Sequence, residues 1–245
     1  MKGIPVLDKP VRPQKLYEQV AQRLERRILD QSYLAGELIP SERDLMREFG
    51  VGRPAIREAL FHLKNMGLIE QRSGERAIVT RPTAGVVVDT LAGIARHMLA
   101  EPDGVRNFQD ARLFFEVGLA RYAAQHALKS DLADLAAALE SNRAAIGNLS
   151  RFERTDVAFH YVLAVIPKNP IFPAIHAAIV EWLVQQRHIT LTWQGRKDTA
   201  QQAYDAHAAI YEAIAAGDPD RAEGAMRSHL QHVSSVYWEA MVPDA

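Results

Sequence analysis

Three histidines and an aspartate in the second part of the chain have the types and spacing of metal ligands. Asp156 and His160 are four residues apart in a helical pattern, so they lie on one face of a helix, one turn apart. His207 and His229 each stand among apolar residues that would turn inward. Three imidazoles and one carboxylate could hold a divalent transition metal and leave positions for water or a ligand. The chain has no cysteine, so any metal must be held by His, Asp or Glu.

The same four residues allow two other interpretations. A lone buried histidine is more often a satisfied core residue than a ligand, and the spacing alone leaves both open. The four groups could also activate water in a metal-dependent hydrolase with a DNA-binding appendage. The sequence contains no HExxH motif to place a general base beside the metal, and no nucleophile elbow. We therefore expect that the chain is not an enzyme.

Arg112 is a candidate contact for an acidic effector. A carboxylate buried without a partner costs several kcal/mol, so a pocket that senses an organic acid needs a fixed cation. Arg112 lies in a helical run with apolar neighbours, and Glu116 follows one turn later. The pair forms a wall of an effector pocket or an internal salt bridge, and both could hold at once.

Arginines in the first part of the chain have the positions of a DNA-reading element. Arg53 and Arg57 are four residues apart on one face of a helical pattern, and Arg43 begins the preceding one. A guanidinium is suited to paired hydrogen bonds with guanine or phosphate. The alternative is that these arginines only solvate a small domain. In a helix-turn-helix, the first turn of the second helix enters the major groove of DNA. Here Arg53 shares that turn with three other candidate DNA-contacting residues: Gly52, Pro54 and Ala55.

The elements around these arginines are those of a helix-turn-helix. Apolar residues recurring every four positions predict a helix over about residues 15–31. Ser41 is placed to cap a second helix, which Gly50 ends. A third helix has Pro54 in its first turn and stops at Gly67.

A hairpin is predicted directly after the third helix. Two short β-like runs, at residues 68–71 and 77–80, flank a turn that contains Ser73 and Gly74. This wing could reach along the duplex to the minor groove or to phosphates. Three helices and a hairpin together predict a winged helix-turn-helix.

The pattern changes at Pro82, and we predict three regions. Residues 1–81 form the DNA-binding domain, residues 82–85 a linker, and residues 86–245 an all-helical domain for effector binding and dimerisation. Gly and Pro breaks cut the last region into six or seven helices. The predicted fold class is therefore mainly α.

Composition supports this division. The chain has 245 residues, is 48% hydrophobic and 24% charged, and is typical of a soluble globular protein. Residues 1–81 carry 15 Lys+Arg against 11 Asp+Glu, a net +4, and the remainder carries 14 against 19, a net −5. Phosphate binding and a second task are thus separated along the chain. Neither a membrane span nor a signal peptide is apparent, so we expect a cytoplasmic protein.

The N-terminal motifs resemble a known family. The runs PSERDL, GVGRPAIREAL and GLIEQRSGERAIV resemble the DNA-binding domain of the GntR family of bacterial transcription regulators. This resemblance implies that Arg43, Arg53 and Arg57 contact operator DNA. It also implies that Ser73 and Gly74 form the wing tip.

The C-terminal motifs resemble the FadR-type branch of the same family. The runs DVAFH, IPKNPIF and YDAHAAIYEAIAAGDPDRAEGAMRSHL resemble its all-helical effector domain, the FCD domain. Metal-containing members hold their metal, expected here to be zinc, with an Asp and three His. This implies four ligands: Asp156, His160, His207 and His229. The resemblance likewise implies that the pair Arg112 and Glu116 is a pocket-wall motif.

Longer stretches, among them AFHYVLAVIPKNPIFPAIH and SHLQHVSS, resemble one subgroup of that branch. They imply a sialic acid or a related sugar acid as effector. We therefore expect a homodimeric repressor that binds double-stranded operator DNA and is released by a small carboxylate, although some family members activate. A DNA binder with an inert helical bundle is the remaining alternative, and its DNA affinity would not respond to any small molecule.

Overall fold

The structure is a computed structural model, and it describes residues 14–72, 75–80, 94–193 and 198–241. The chain divides into two compact units, Met1–Val86 and Val87–Ala245. The predicted linker at 82–85 and the predicted wing-tip residues Ser73 and Gly74 lie outside the described residues.

The N-terminal unit contains three helices and a two-stranded antiparallel sheet. The helices are α1 (Leu16–Leu29), α2 (Glu42–Phe49) and α3 (Arg53–Asn65), and the strands are β1 (Ile69–Glu70) and β2 (Ile78–Val79). In the sheet, Ile69 pairs with Val79 and Glu70 pairs with Ile78. The predicted order of helices and hairpin is confirmed.

Local signals explain where these helices begin and end. The Ser41 hydroxyl accepts a hydrogen bond from the backbone N–H of Asp44, and so caps α2. Gly50 has a φ of +63°, a left-handed conformation that glycine adopts without a steric penalty, and this ends α2. Pro54 stands in the first turn of α3. Backbone N–H groups in a first turn have no acceptor within the helix, so the lack of an N–H in proline costs no hydrogen bond there.

A third extended segment, which the sequence did not predict, joins the small sheet. Leu38 forms an isolated antiparallel bridge with Ile78. The N–H of Ile39 donates to the carbonyl of Ala77 over 2.8 Å, and the N–H of Val79 donates to the carbonyl of Glu37 over 2.9 Å. Residues 37–39 are too few to show the alternation of apolar and polar residues that marks a strand in the sequence. Their extended conformation is therefore evident only from their pairing with β2.

The helical unit contains eight helices within residues 94–193 and 198–241, where six or seven were predicted. They are α4 (94–99), α5 (Gly104–His126), α6 (Lys129–Arg143), α7 (Leu149–Val165), α8 (Ile171–Trp182), α9 (Val184–Thr192), α10 (Thr199–Ala215) and α11 (Pro219–Met241). None of the described helices is both long and apolar enough to cross a membrane.

Two helix breaks without Gly or Pro account for the difference in number. The backbone N–H of Leu128 donates to the Asp131 carboxylate over 3.0 Å, and this bond starts α6 directly after α5. Leu183 alone separates α8 from α9. The core of the unit lies where α5, α7, α10 and α11 meet, and it includes Ala120, Phe159, Leu163, Ile210 and Met226.

Candidate metal and effector site

Three histidines from three helices meet in the interior of the helical unit. They are His160 on α7, His207 on α10 and His229 on α11, and none is more than 4% exposed. The Nε2 atom of His207 lies 3.2 Å from Nε2 of His160 and 3.3 Å from Nε2 of His229. The fold therefore brings together three of the four predicted metal ligands.

The spacing of these nitrogens fits a single shared cation. Two nitrogens bound to one zinc-type ion at about 2.0–2.1 Å stand roughly 3.0–3.4 Å apart in tetrahedral or octahedral geometry. The three imidazoles offer one ligand atom each, and all of these atoms lie within 4.8 Å of one another. The donor set and its geometry suit a divalent transition metal.

Asn142 on α6 fixes which nitrogen of His207 faces the cluster. Its Oδ1 lies 3.0 Å from Nδ1 of His207, and its Nδ2 donates to the hydroxyl of Thr155 over 3.1 Å. Because the amide oxygen can only accept, Nδ1 of His207 carries the hydrogen and Nε2 presents its lone pair. A hydrogen bond of this kind commonly orients a metal-binding histidine.

Asp156, the fourth predicted ligand, lies beside the three histidines. One carboxylate oxygen is 3.6 Å from Nε2 of His207, and the other is 3.6 Å from Nε of Arg187. The carboxylate thus stands between the histidine cluster and a buried guanidinium on α9. The structure places it close to the cluster but not in the same three-way contact.

The Arg112 and Glu116 side chains form a buried ion pair on α5. Nε of Arg112 lies 2.7 Å from Oε1 of Glu116. The other carboxylate oxygen lies 2.5 Å from Nδ1 of His160. Burial would raise the pKa of Glu116, but Arg112 and His160 hold it well below its usual range. The internal salt bridge exists, and it adjoins the histidine cluster.

The electrostatic setting keeps two of the three imidazoles neutral. Burial lowers the pKa of His207 and of His229 well below the ordinary value, and the neighbouring His160 lowers both further. Neutral imidazole is the form that binds metals.

Besides Asn142, the structure adds two residues that the sequence analysis missed, Arg187 on α9 and His176 on α8. Arg187 is 9% exposed and His176 is 1% exposed. Burial lowers the pKa of His176 to about 4, against the opposing effect of Glu116. Neither residue has a His, Asp or Glu three or four positions away that would have marked it as part of a site. The signal available was a histidine within the otherwise apolar run IFPAIHAAIV.

A small cavity of about 30 Å³ opens beside the cluster. Helices α5, α7, α9, α10 and α11 contribute to its lining. The charged and polar lining residues are Arg112, Asp156, Arg187, Thr190, Thr199, His229 and His232, and the rest are apolar. This space holds about one water molecule. A sugar acid would therefore need the cavity to enlarge.

On the N-terminal unit the predicted DNA-contacting arginines are exposed, as surface contacts require. Glu42, at the start of α2, lies 3.5 Å from Nε of Arg53 and 3.2 Å from Nε of Arg57. One carboxylate thus holds both guanidiniums at the start of α3. Arg43 is also exposed.

The residues around Arg53 and the base of the wing differ in exposure. Gly52 and Pro54 are exposed, and Ala55 is half-buried. Arg76, at the base of the wing, donates two hydrogen bonds to the carbonyl of Ile39, over 2.9 and 3.1 Å. This guanidinium therefore braces the sheet.

Family comparisons match both halves of the chain. Residues 16–79 match the family described as "Bacterial regulatory proteins, gntR family", and residues 108–232 match the FCD domain. The chain belongs to the GntR family of bacterial transcription regulators and carries an FCD domain.

Curated relatives extend the match over almost the whole chain. The sequence is 46% identical over 232 residues to the HTH-type transcriptional repressor NanR of Escherichia coli K12, covering 95% of this chain and 88% of that protein. NanR of Salmonella newport is 43% identical over 233 residues, covering 95% and 89%. These relatives are named repressors, which confirms the prediction of a regulator rather than an enzyme.

Solved structures share the fold. Streptococcus agalactiae GntR superposes with a TM-score of 0.63 at 24% identity, covering 89% of this chain and 99% of that one. Escherichia coli McbR/YncC gives a TM-score of 0.53 at 14% identity, covering 94% and 100%. The mainly α architecture is thereby confirmed.

Proposed function

We propose that this regulator is a repressor of genes for sialic acid or related sugar-acid catabolism, and that the acid releases it from operator DNA. The observation that carries the proposal is the buried cluster of three imidazoles beside two buried guanidiniums, Arg112 and Arg187. Such a site suits a small anion. The motif resemblance supplies the class of acid, and the NanR relatives, which are named repressors, support the sign of regulation.

We further propose that Asp156, His160, His207 and His229 hold a divalent transition metal, most simply zinc. A bound metal would supply an electrophilic centre for a carboxylate oxygen. Arg112 would then orient that carboxylate, because its guanidinium is fixed by Glu116. Arg187 keeps a long 3.6 Å separation from Asp156, which leaves its Nε able to donate to a ligand.

The DNA-binding proposal concerns the N-terminal unit. Arg43, Arg53 and Arg57 would contact bases and phosphates, with Gly52, Pro54 and Ala55 placing the start of α3 against the duplex, and Ser73 and Gly74 reaching from the wing. A homodimer in the cytoplasm would present two such heads to a near-palindrome and so multiply weak contacts. The helical unit would mediate the pairing.

Release would follow from a shift in population. Because the cavity holds only about one water molecule, an effector can bind only to an enlarged form of the helical unit. If that form is incompatible with the half-site spacing, the acid lowers operator affinity. The difference in its affinity for the two forms limits how far it can shift the balance.

One experiment tests metal, effector and release together. The thermal midpoint and the affinity for operator DNA, selected by the protein from a random pool, are measured with N-acetylneuraminate, with and without prior removal of metal by a chelator. We expect the acid to raise the midpoint and to weaken DNA binding only in metal-loaded protein. Equal responses from metal-free protein would show that the metal has no part in sensing.

Two variants separate the two activities. Arg53→Ala should lose about 1 to 3 kcal/mol of operator binding yet keep the thermal response to the acid. His160→Ala should keep DNA binding and lose both the bound metal and the response. Loss of both activities in either variant would contradict the division of labour.

A further inference from the structure

Helices α8 and α9 carry buried polar atoms that have no hydrogen-bond partner among the described residues. We call the side chains that bear them the polar wall. They are His176 through both ring nitrogens, Trp182 through Nε1, Gln186 through Oε1 and Arg187 through Nε. His176 is 1% exposed and Gln186 is 4% exposed, so water at the surface does not satisfy them.

Ring contacts show that α8 runs antiparallel to α5. Phe172, early in α8, packs against Phe115 with ring centroids 5.9 Å apart. Trp182, at the end of α8, packs edge-on against Phe108, which is earlier in α5, at 5.2 Å. The later residue of one helix thus meets the earlier residue of the other.

This arrangement places His176 beside the charged pair on α5. Phe108, Arg112 and Glu116 follow one another at intervals of four and share a face of that helix. Trp182 packs against Phe108, so His176, which comes earlier in α8, lies nearer Glu116. The charges of Glu116 and Arg112 both act on the pKa of His176. Arg187, at the other end of the wall, lines the same cavity as Arg112, so the two ends of the wall adjoin the charged pair.

Core packing alone gives no reason for polar side chains here. The other buried residues along α8 and its end are apolar, Ala178, Ile179 and Leu183. A buried donor or acceptor without a partner destabilises a fold, and several on adjoining helix turns destabilise it more. Such a set persists where bound water or a ligand supplies the missing partners.

The kinds of atom in the wall indicate the kind of ligand. Trp182 and Arg187 can only donate, the free oxygen of Gln186 can only accept, and a neutral His176 does both. Hydroxyl groups also donate and accept, whereas a carboxylate only accepts. We propose that the polar wall binds the hydroxyl or amide groups of a polyhydroxylated acid whose carboxylate lies toward Arg112 and the histidine cluster. This inference rests on the proposed function and names the ligand class of that same site.

Three near-isosteric variants test the wall: His176→Leu, Trp182→Phe and Gln186→Met. Each removes the polar atoms and keeps most of the volume. Binding of N-acetylneuraminate by isothermal titration calorimetry should weaken about tenfold in each, as expected for one lost hydrogen bond. Metal content should be unchanged. His176→Leu should also melt no lower than the parent without ligand, because it removes two unpartnered atoms.

Ile179→Leu is the matched control, since it alters a buried residue of α8 that has no polar side-chain atom. It should leave acid binding unchanged. Parental affinity in all three wall variants would overturn the inference, and so would loss of metal from the variant that weakens binding. If His176→Leu fails to fold, Trp182→Phe and Gln186→Met decide the question.

A second arm separates this inference from the proposed effector. The parent protein is titrated with N-acetylneuraminate, gluconate, glucuronate and succinate. If N-acetylneuraminate does not bind but another hydroxylated acid does, and the wall variants weaken it, the proposed effector is wrong and the wall assignment stands. Tighter binding of succinate than of every hydroxylated acid would overturn the wall assignment.

Discussion

The two units of this protein place their charged side chains in opposite ways. In the N-terminal unit Arg43, Arg53 and Arg57 stand on the surface above an apolar core. In the helical unit Arg112 and Glu116 lie in the interior beside three buried imidazoles. A long polyanion such as DNA can be met only at a surface, whereas a small acid can be enclosed. Charged side chains that are enclosed in the interior must be paired with one another, because water cannot solvate them there.

The carboxylates of Glu42 and Glu116 show the contrast most directly. Glu42 bridges two exposed arginines at 3.2 and 3.5 Å, where solvent screens the interaction. Glu116 holds Arg112 at 2.7 Å with both side chains buried. Similar ion pairs should therefore differ widely in their effect on stability.

The largest effect is expected for Arg112→Ala. It leaves Glu116 buried without its guanidinium, so the free energy of unfolding should fall by about 3 to 5 kcal/mol in chemical denaturation. Arg121→Ala on the same helix is the control, because Arg121 is partly exposed in its pairs with Asp220 and Glu223. The control should change stability by less than about 1 kcal/mol. Equal losses would contradict the contrast between surface and interior.

The second prediction concerns pH and uses metal-free protein with chelator present. His176 has a folded pKa of about 4 and an ordinary value of 6.5, so between these values the unfolded chain binds a proton that the folded chain does not. The contribution of His176 to stability is therefore fully present above pH 6.5 and is lost as the pH drops toward 4, a loss of about 3 kcal/mol in all. Chemical denaturation at several pH values measures the free energy of unfolding against pH, and its slope should be shallower for His176→Leu than for the parent. Equal slopes would contradict the lowered pKa of His176.

Asn142→Ala tests the hydrogen bond that orients His207. Without the amide oxygen, Nδ1 of His207 loses its acceptor and the ring is free to change tautomer. Apparent metal affinity in a competition titration should fall about 10- to 100-fold, while DNA binding stays intact. Ser141→Ala is the neighbouring control, since its hydroxyl bonds only to the carbonyl of Ala137 among the described residues. Unchanged metal affinity in Asn142→Ala would show that the Asn142 amide does not orient His207 for metal binding.

The smallest effect is expected for Glu42→Ala. Its two arginines are exposed, so the free energy of unfolding should change by less than about 1 kcal/mol. Thermal and chemical denaturation of this variant beside Arg112→Ala measures the contrast within one protein. A loss of 3 kcal/mol or more would show that the surface bridge behaves like a buried one.

Prediction from sequence succeeded where the signals were contiguous. The cap at Ser41, the helix end at Gly50 and the hairpin after Gly67 each depend on a few neighbouring residues, and all are present in the structure. The segment around Leu38 was missed because its pairing partner, Ile78, is forty residues away. Gly and Pro marked most helix breaks in the second unit, but not the break between α5 and α6 or the break at Leu183.

The candidate site divides in the same way. The four-residue interval between Asp156 and His160 could be read directly, because helical periodicity is a local property. The contacts of His160 and His207, 47 residues apart, were suggested by residue type and family resemblance, and their distances came only from the packed helices. No local pattern pointed to Asn142 or Arg187, and the only signal for His176 was its place within the apolar run IFPAIHAAIV.

The sequence by itself determined the order of elements, the family and the residue types available for chemistry, because these depend on short-range periodicity and on contiguous motifs. Only the tertiary structure decided that Glu116 adjoins His160, that Asn142 orients His207, and that several polar atoms of α8 and α9 are buried without a hydrogen-bond partner among the described residues. These contacts arise when helices distant in sequence bury their apolar faces against one another. That packing sets the depth and partners of each polar group, and the spacing of residues along the chain does not encode them.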